Sequence, residues 1–134
     1  MNARIAAMSV AALTVALTVP LPGQGRRAMT IEDLIVAPRV ADPQLSPDGR
    51  TVLFVQTTTD GKTGRRNADI YAVPADGSAA AKPLITGERS ENSPRWSPDG
   101  RQIAFLSNRD GATQIYVASA AGSDIRKVTN LHAG

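Results

Sequence analysis

The chain has 134 residues, a formal charge of +3 and no cysteine. Setting aside Arg4, Arg26 and Arg27, all ahead of Met29, leaves 12 Lys/Arg against 12 Asp/Glu. A neutral body without a basic, aromatic-interleaved patch gives no electrostatic footprint for nucleic acid, and the lack of cysteine excludes disulfides and thiolate metal sites.

Residues 1–25 read as a secretory signal peptide. Arg4 supplies positive charge, Ile5 to Val19 carries no charge and is rich in Ala, Val and Leu, and Gly23-Gln24-Gly25 offers small residues for cleavage. The apolar run is short of the ~20 residues a spanning helix needs. No cysteine follows it, which excludes a lipoprotein anchor, and Arg26-Arg27 stands on the wrong side for a twin-arginine signal. The expectation is an exported protein, periplasmic or secreted, with no membrane span after cleavage. The competing readings are a short uncleaved anchor and a cytoplasmic protein started at Met29. Mass spectrometry of the natural N-terminus decides: export predicts a start near Arg26, and a start at Met1 or Met29 contradicts it.

Residues 26–41 form a linker. Thr30 with Asp33 three residues on is a capping-box variant, and Ile31, Leu34 and Ile35 keep helical spacing. Pro38 disfavours helix at Ala37, so the pattern predicts a short helix over Thr30 to Val36.

Beyond this point the chain repeats itself. Leu45-Ser46-Pro47-Asp48-Gly49-Arg50 returns as Trp96-Ser97-Pro98-Asp99-Gly100-Arg101. Phe54 then answers to Phe105, Ile70-Tyr71 to Ile115-Tyr116, Gly77-Ser78 to Gly122-Ser123 and Thr86 to Thr129. The offset falls from 51 to 45 to 43, which confines the length differences to connections. Such a period marks stacked β units. In each copy three apolar runs follow a short stub: Thr51–Val55, Ile70–Val73 and Leu84–Thr86, then Gln102–Leu106, Ile115–Ala118 and Lys127–Thr129. Four strands per copy is the strand count of a propeller blade. The fold expected is all-β: two four-stranded antiparallel blades of an incomplete propeller, blade 1 over 42–87 and blade 2 with the start of the next over 88–134.

The turns have physical causes. In Ser-Pro-Asp-Gly the proline presets φ, Asp tolerates the next position and Gly takes the left-handed one, giving a three-residue hairpin with the Ser hydroxyl free to cap an amide. Gly49 and Gly100 are therefore expected at positive φ. Asp110-Gly111, Asp76-Gly77 and Ala121-Gly122 mark further turns, and Thr58 to Ala68 reads as a long polar connection. Two units close no ring, so Phe54, Val55, Phe105, Leu106 and Tyr116 are expected to stay partly exposed in this chain, with open sheet edges.

Catalytic chemistry is missing. The sole histidine is His132, and neither G-x-S-x-G nor H-E-x-x-H occurs. No activated serine with its base can be assembled, and no zinc hydrolase site. Catalytic, cofactor-binding and metal residues are all expected to be none. Asn108, Asp110 and Gly111 lack the carboxylates of a calcium loop and read as a hairpin. Arg65-Arg66 reads as a solvated loop tip, and Glu88, Arg89 and Glu91 as an exposed charge cluster on the link between units. Trp96, Tyr71 and Tyr116 read as packing between blades.

The run Trp96 to Gly111, followed by Ile115-Tyr116 and Val128-Thr129, resembles the TolB-like (WD40-like) propeller blade. That blade occurs in the periplasmic Tol–Pal propeller and in the N-terminal propeller of bacterial serine peptidases of the prolyl oligopeptidase family, acylaminoacyl and dipeptidyl aminopeptidases among them. Thr30-Ile31-Glu32-Asp33-Leu34 and the stretch Val40 to Gly49 look like the entry of the peptidases, and 19 residues from Arg26 to Gln44 leave no room for a Tol-type α/β domain. The resemblance implies a substrate-gating, non-catalytic part of an exported serine peptidase acting on short peptides. Its partners would be further C-terminal blades and an α/β-hydrolase domain. The alternative is a non-enzymatic periplasmic scaffold.

Overall fold

The computed structural model describes residues 27–131. The signal-peptide reading and His132 lie outside the described residues.

Helix α1 spans Ile31–Val36, and both halves of its capping box form: Asp33 N donates to Thr30 Oγ1 at 3.3 Å and Thr30 N to Asp33 Oδ2 at 2.9 Å. Eight strands follow: β1 Arg39–Leu45, β2 Thr51–Thr59, β3 Arg66–Pro74, β4 Lys82–Ile85, β5 Glu91–Trp96, β6 Gln102–Ser107, β7 Gln114–Ser119 and β8 Arg126–Lys127. They make two antiparallel sheets in chain order, β1-β2-β3-β4 and β5-β6-β7-β8. The first sheet is blade 1 and the second blade 2; β1 already begins at Arg39, ahead of residue 42.

Two local expectations are corrected. The Thr58 to Ala68 stretch is strand at both ends, which leaves residues 60–65 as the connection. β-branched Thr57, Thr58 and Thr59 pair with Ala68, Asn67 and Arg66, so the extra residues of the first copy lengthen a hairpin. The Ser-Pro-Asp-Gly hairpin encloses four residues, because Ser46 N bonds the Thr51 carbonyl at 2.8 Å and Ser97 N the Gln102 carbonyl at 2.9 Å. The serine cap is present in both: Ser46 Oγ accepts from Thr51 N, and Ser97 Oγ from Gln102 N, each at 2.9 Å.

Gly49 and Gly100 sit at φ 73° and 69°. A β-branched residue is strained there, so Gly100→Val is expected to cost on the order of 1–3 kcal/mol. An unchanged denaturant midpoint would remove the turn argument.

Both inner strands carry a bulge. The register slips between Ala41 and Gln44 in β1 and between Asn92 and Arg95 in β5. Asp42 and Ser93, each preceding a proline, take φ 50° and 53°. Left-handed backbone before proline is disfavoured, so the same strain is built twice at equivalent positions.

The blades stack through unlike faces. Blade 2 turns Trp96, Ile103, Phe105, Tyr116 and Ala118 toward blade 1, which answers with Leu53, Ile70, Ala72, Leu84 and Ile85 in one continuous core. Contacts run from β5 to β1, β2 and β3, which sets the inner strands of the two blades side by side. The expected exposure is thereby corrected for three residues: Val55, Phe105 and Tyr116 are buried, at 6%, 1% and 3%. Phe54 and Leu106 are half-buried. Each blade has one covered face, and the residues on it are shielded without a closed ring.

Candidate functional site

Two polar clusters flank the core. The first lies on the inner seam, where the bulges of β1 and β5 reset the side-chain alternation and bring opposite charges together. Arg95 Nη1 donates to Asp42 at 3.1 and 2.9 Å, and Gln44 Nε2 donates to Asp42 Oδ1 at 2.9 Å. The hydrogen bond from Arg95 holds the Asp42 carboxyl below its usual range, against an opposing contribution from desolvation. Trp96 Nε1 reaches the Gln44 carbonyl at 3.4 Å, tying the two inner strands together.

The second cluster gathers at the β2–β3 and β6–β7 hairpin end around the 86–90 link. Gly87 N donates to Asp69 Oδ1 at 3.2 Å and its carbonyl accepts from Asn67 Nδ2 at 2.9 Å. Ser90 bridges the blades: its hydroxyl accepts from Ala68 N at 3.3 Å, while its N–H donates to Asn108 Oδ1 at 3.2 Å. The Arg65 guanidinium hydrogen-bonds the Glu88 carbonyl.

Glu91 corrects the sequence reading. Glu88 and Arg89 are exposed as expected, but Glu91 is fully buried. Its Oε1 lies 2.8 Å from Arg109 Nη2, and its Oε2 has no hydrogen-bond partner. The Arg109 guanidinium lies 5.5 Å from the Phe105 ring centre and 5.0 Å from that of Tyr116, which are themselves stacked at 5.8 Å. The repeat hid this group, because the residue of the first copy that answers to Glu91 is Val40 and the one that answers to Arg109 is Thr58. Neither inner-strand pairing was foreseen either; the doubled X-Pro step at Asp42-Pro43 and Ser93-Pro94 was its available signal.

Asn108, Asp110 and Gly111 form the hairpin turn, with Gly111 N on the Asn108 carbonyl at 3.0 Å. Asp110 Oδ2 accepts from the Tyr116 hydroxyl at 2.7 Å and from Lys127 Nζ at 3.3 Å. Burial, then the bond to Asp110, pushes the Tyr116 phenol up to about 12. A raised folded value gives stability that is complete below pH ~10 and lost as pH climbs toward the folded value. Urea midpoints are expected to fall across that window, and Tyr116→Phe to flatten the fall. An equal fall in the variant contradicts this assignment.

Among the described residues no three His, Cys, Asp or Glu side chains are grouped to hold a metal ion. No described helix is long and apolar enough to cross a membrane. The clusters pair opposite charges and tie the two blades together.

The sequence pattern of the TolB beta propeller domain matches residues 29–133. The chain is similar to the uncharacterized peptidase YuxL of Bacillus subtilis, 37% identical over 112 residues, covering 81% of this chain and 17% of that protein. It is 32% identical to dipeptidyl-peptidase 5 of Porphyromonas gingivalis over 117 residues, 86% of this chain and 17% of that one. The chain thus spans about a sixth of the length of these relatives. Among solved structures, a putative TolB from Agrobacterium tumefaciens superposes with a TM-score of 0.54 at 30% identity, over 71% of this chain and 31% of that one.

Proposed function

This chain belongs to the TolB beta-propeller family, and from that premise we propose that it is a non-catalytic propeller portion of an exported serine peptidase of the prolyl oligopeptidase family. In this reading the inner strands β1 and β5, with Asp42, Gln44 and Arg95, border the passage through which short peptides reach a hydrolase domain. Further blades and that domain are supplied by a longer polypeptide. The observation that carries the reading is the likeness of most of this chain to two proteins named as peptidases, each far longer than it.

Rigidity suits such a role. The strained bulges and the inter-blade ties at Ser90 and Trp96 hold the inner strands at a fixed spacing. A passage of fixed width selects by size.

A scaffold of the Tol type is the second reading, favoured by the Agrobacterium likeness. Reading the gene past the Gly134 codon separates them. The peptidase reading predicts more blades and then G-x-S-x-G with later Asp and His. Blades followed by a stop codon overturn it in favour of the scaffold.

A further inference from the structure

The inner strands are the ones a peptide in the passage would touch, and both are sheet edges. β1 and β5 each stand at the end of the strand order of their own blade, paired on one side only. Blades added on either side would stand beside these edges and leave them on the inner rim.

A strand edge is a template. Its unpaired N–H and C=O groups take up an extended chain as a further strand, through main-chain hydrogen bonds that ask little of that chain's sequence. A passage walled by such edges would hold the peptides that enter it.

Several features remove the template here. Regular pairing covers Arg39–Ala41 and Gln44–Leu45 on β1, and Glu91–Asn92 and Arg95–Trp96 on β5, so no regular stretch exceeds three residues. Between the stretches two residues oppose one, Asp42-Pro43 against Phe54 and Ser93-Pro94 against Phe105, and the alternation of edge groups breaks there. Pro43 and Pro94 have no N–H to donate. Two carbonyls beside the breaks are already engaged by side chains: that of Gln44 accepts from Trp96 Nε1 at 3.4 Å, and that of Pro94 from Arg95 Nη1 at 2.7 Å. The same Arg95 nitrogen reaches Asp42, which lays an ion pair across the two edges. Charge, proline and bulge are the devices that blunt a strand edge. All three coincide at equivalent places in the repeat, and Asp42 and Ser93 take positive φ to accommodate them.

We propose that the paired X-Pro bulges close the inner edges of β1 and β5 to strand addition. An extended peptide in the passage then meets the side chains of Asp42, Gln44 and Arg95 and builds no backbone ladder on the wall. The passage is taken from the proposed function, whereas the closed edge is a property of the backbone and is measured without peptide cleavage.

The experiment uses the natural gene product, treated with a fluorophosphonate so that no peptide is consumed. The probe is an acetylated, fluorescein-labelled octapeptide of alternating Thr and Gln, read by anisotropy. In the test variant each pair, Asp42-Pro43 and Ser93-Pro94, is replaced by one Val, which sets a single residue opposite Phe54 and another opposite Phe105. The variant is expected to bind the probe about tenfold tighter than the wild type or better, the gain from one or two added ladder hydrogen bonds. Amides of β1 and β5 are expected to gain protection from hydrogen exchange when the probe is present. Outer strands contribute alike to both proteins, so the difference reports the inner edges. Protection of the Leu53 and Ile103 amides checks folding. If the variant loses it, Pro43→Thr with Arg95→Ala takes its place, restoring one N–H and freeing one carbonyl at exposed side chains. Binding by the folded variant no tighter than by the wild type, or probe-dependent protection along β1 and β5 of the wild type, overturns the proposal. On a gene product that takes no fluorophosphonate label the peptidase reading fails, and the same two results still decide the edge closure.

Discussion

Replacing Arg109 by alanine is expected to destabilise the protein by about 3–5 kcal/mol. The change strands Glu91, whose side chain is 1% exposed and whose second oxygen already lacks a partner. It also strips the cation from above Phe105 and Tyr116. Arg109 keeps 26% of its side-chain exposure, so the lower end of the range is favoured. Removing both charges together should recover most of the loss, since an apolar pair of similar volume carries no desolvation cost. Denaturant midpoints of Arg109→Ala against Glu91→Leu with Arg109→Met, at one fixed chain concentration, check this. A double variant as weak as the single one would show that packing, and not the stranded carboxylate, sets the loss.

The second large effect separates two residues that the repeat treats as equals. Phe105→Ala is expected to cost about 3–5 kcal/mol, the range for emptying a fully enclosed phenylalanine site. Phe54→Ala, at a half-buried site on the side of blade 1 turned away from blade 2, is expected to cost about 1–2 kcal/mol in this chain. The contrast follows from one face of each blade being covered. Equal losses in the two variants would contradict the unlike-face packing.

Much of this fold is written locally and so could be read. Thr30 and Asp33 close the capping box that their spacing implies, and both Ser-Pro-Asp-Gly turns form with glycine at positive φ. The repeat gave the strand count of each blade because turn chemistry punctuates it. The order of faces was not legible, for a physical reason: β2 and β6 are apolar on both sides, so alternation does not say which side meets the neighbouring blade. The same limit left Val55, Phe105 and Tyr116 among the residues expected to stay partly exposed, whereas the contact with the neighbouring blade buries them. The Thr-rich end of β2 is polar yet β-branched, and pairing overrode polarity there. Glu91 was missed because a charged residue beside Glu88 and Arg89 reads as solvated, and only the fold places Arg109 and two rings around it. The inner-strand bulges depend on pairing between distant residues, which two X-Pro steps announce only after the register is known.

The proposed place of these blades in a serine peptidase is tested most directly on the natural gene product. Antibody raised against residues 27–131 would recover it from cells, and a fluorophosphonate probe would then report a nucleophilic serine. The account predicts a polypeptide about six times the length of this chain, in line with its 17% share of its peptidase relatives, labelled by the probe and cleaving short peptides but not folded proteins. A recovered polypeptide of further blades that takes no label and cleaves no peptide would contradict it.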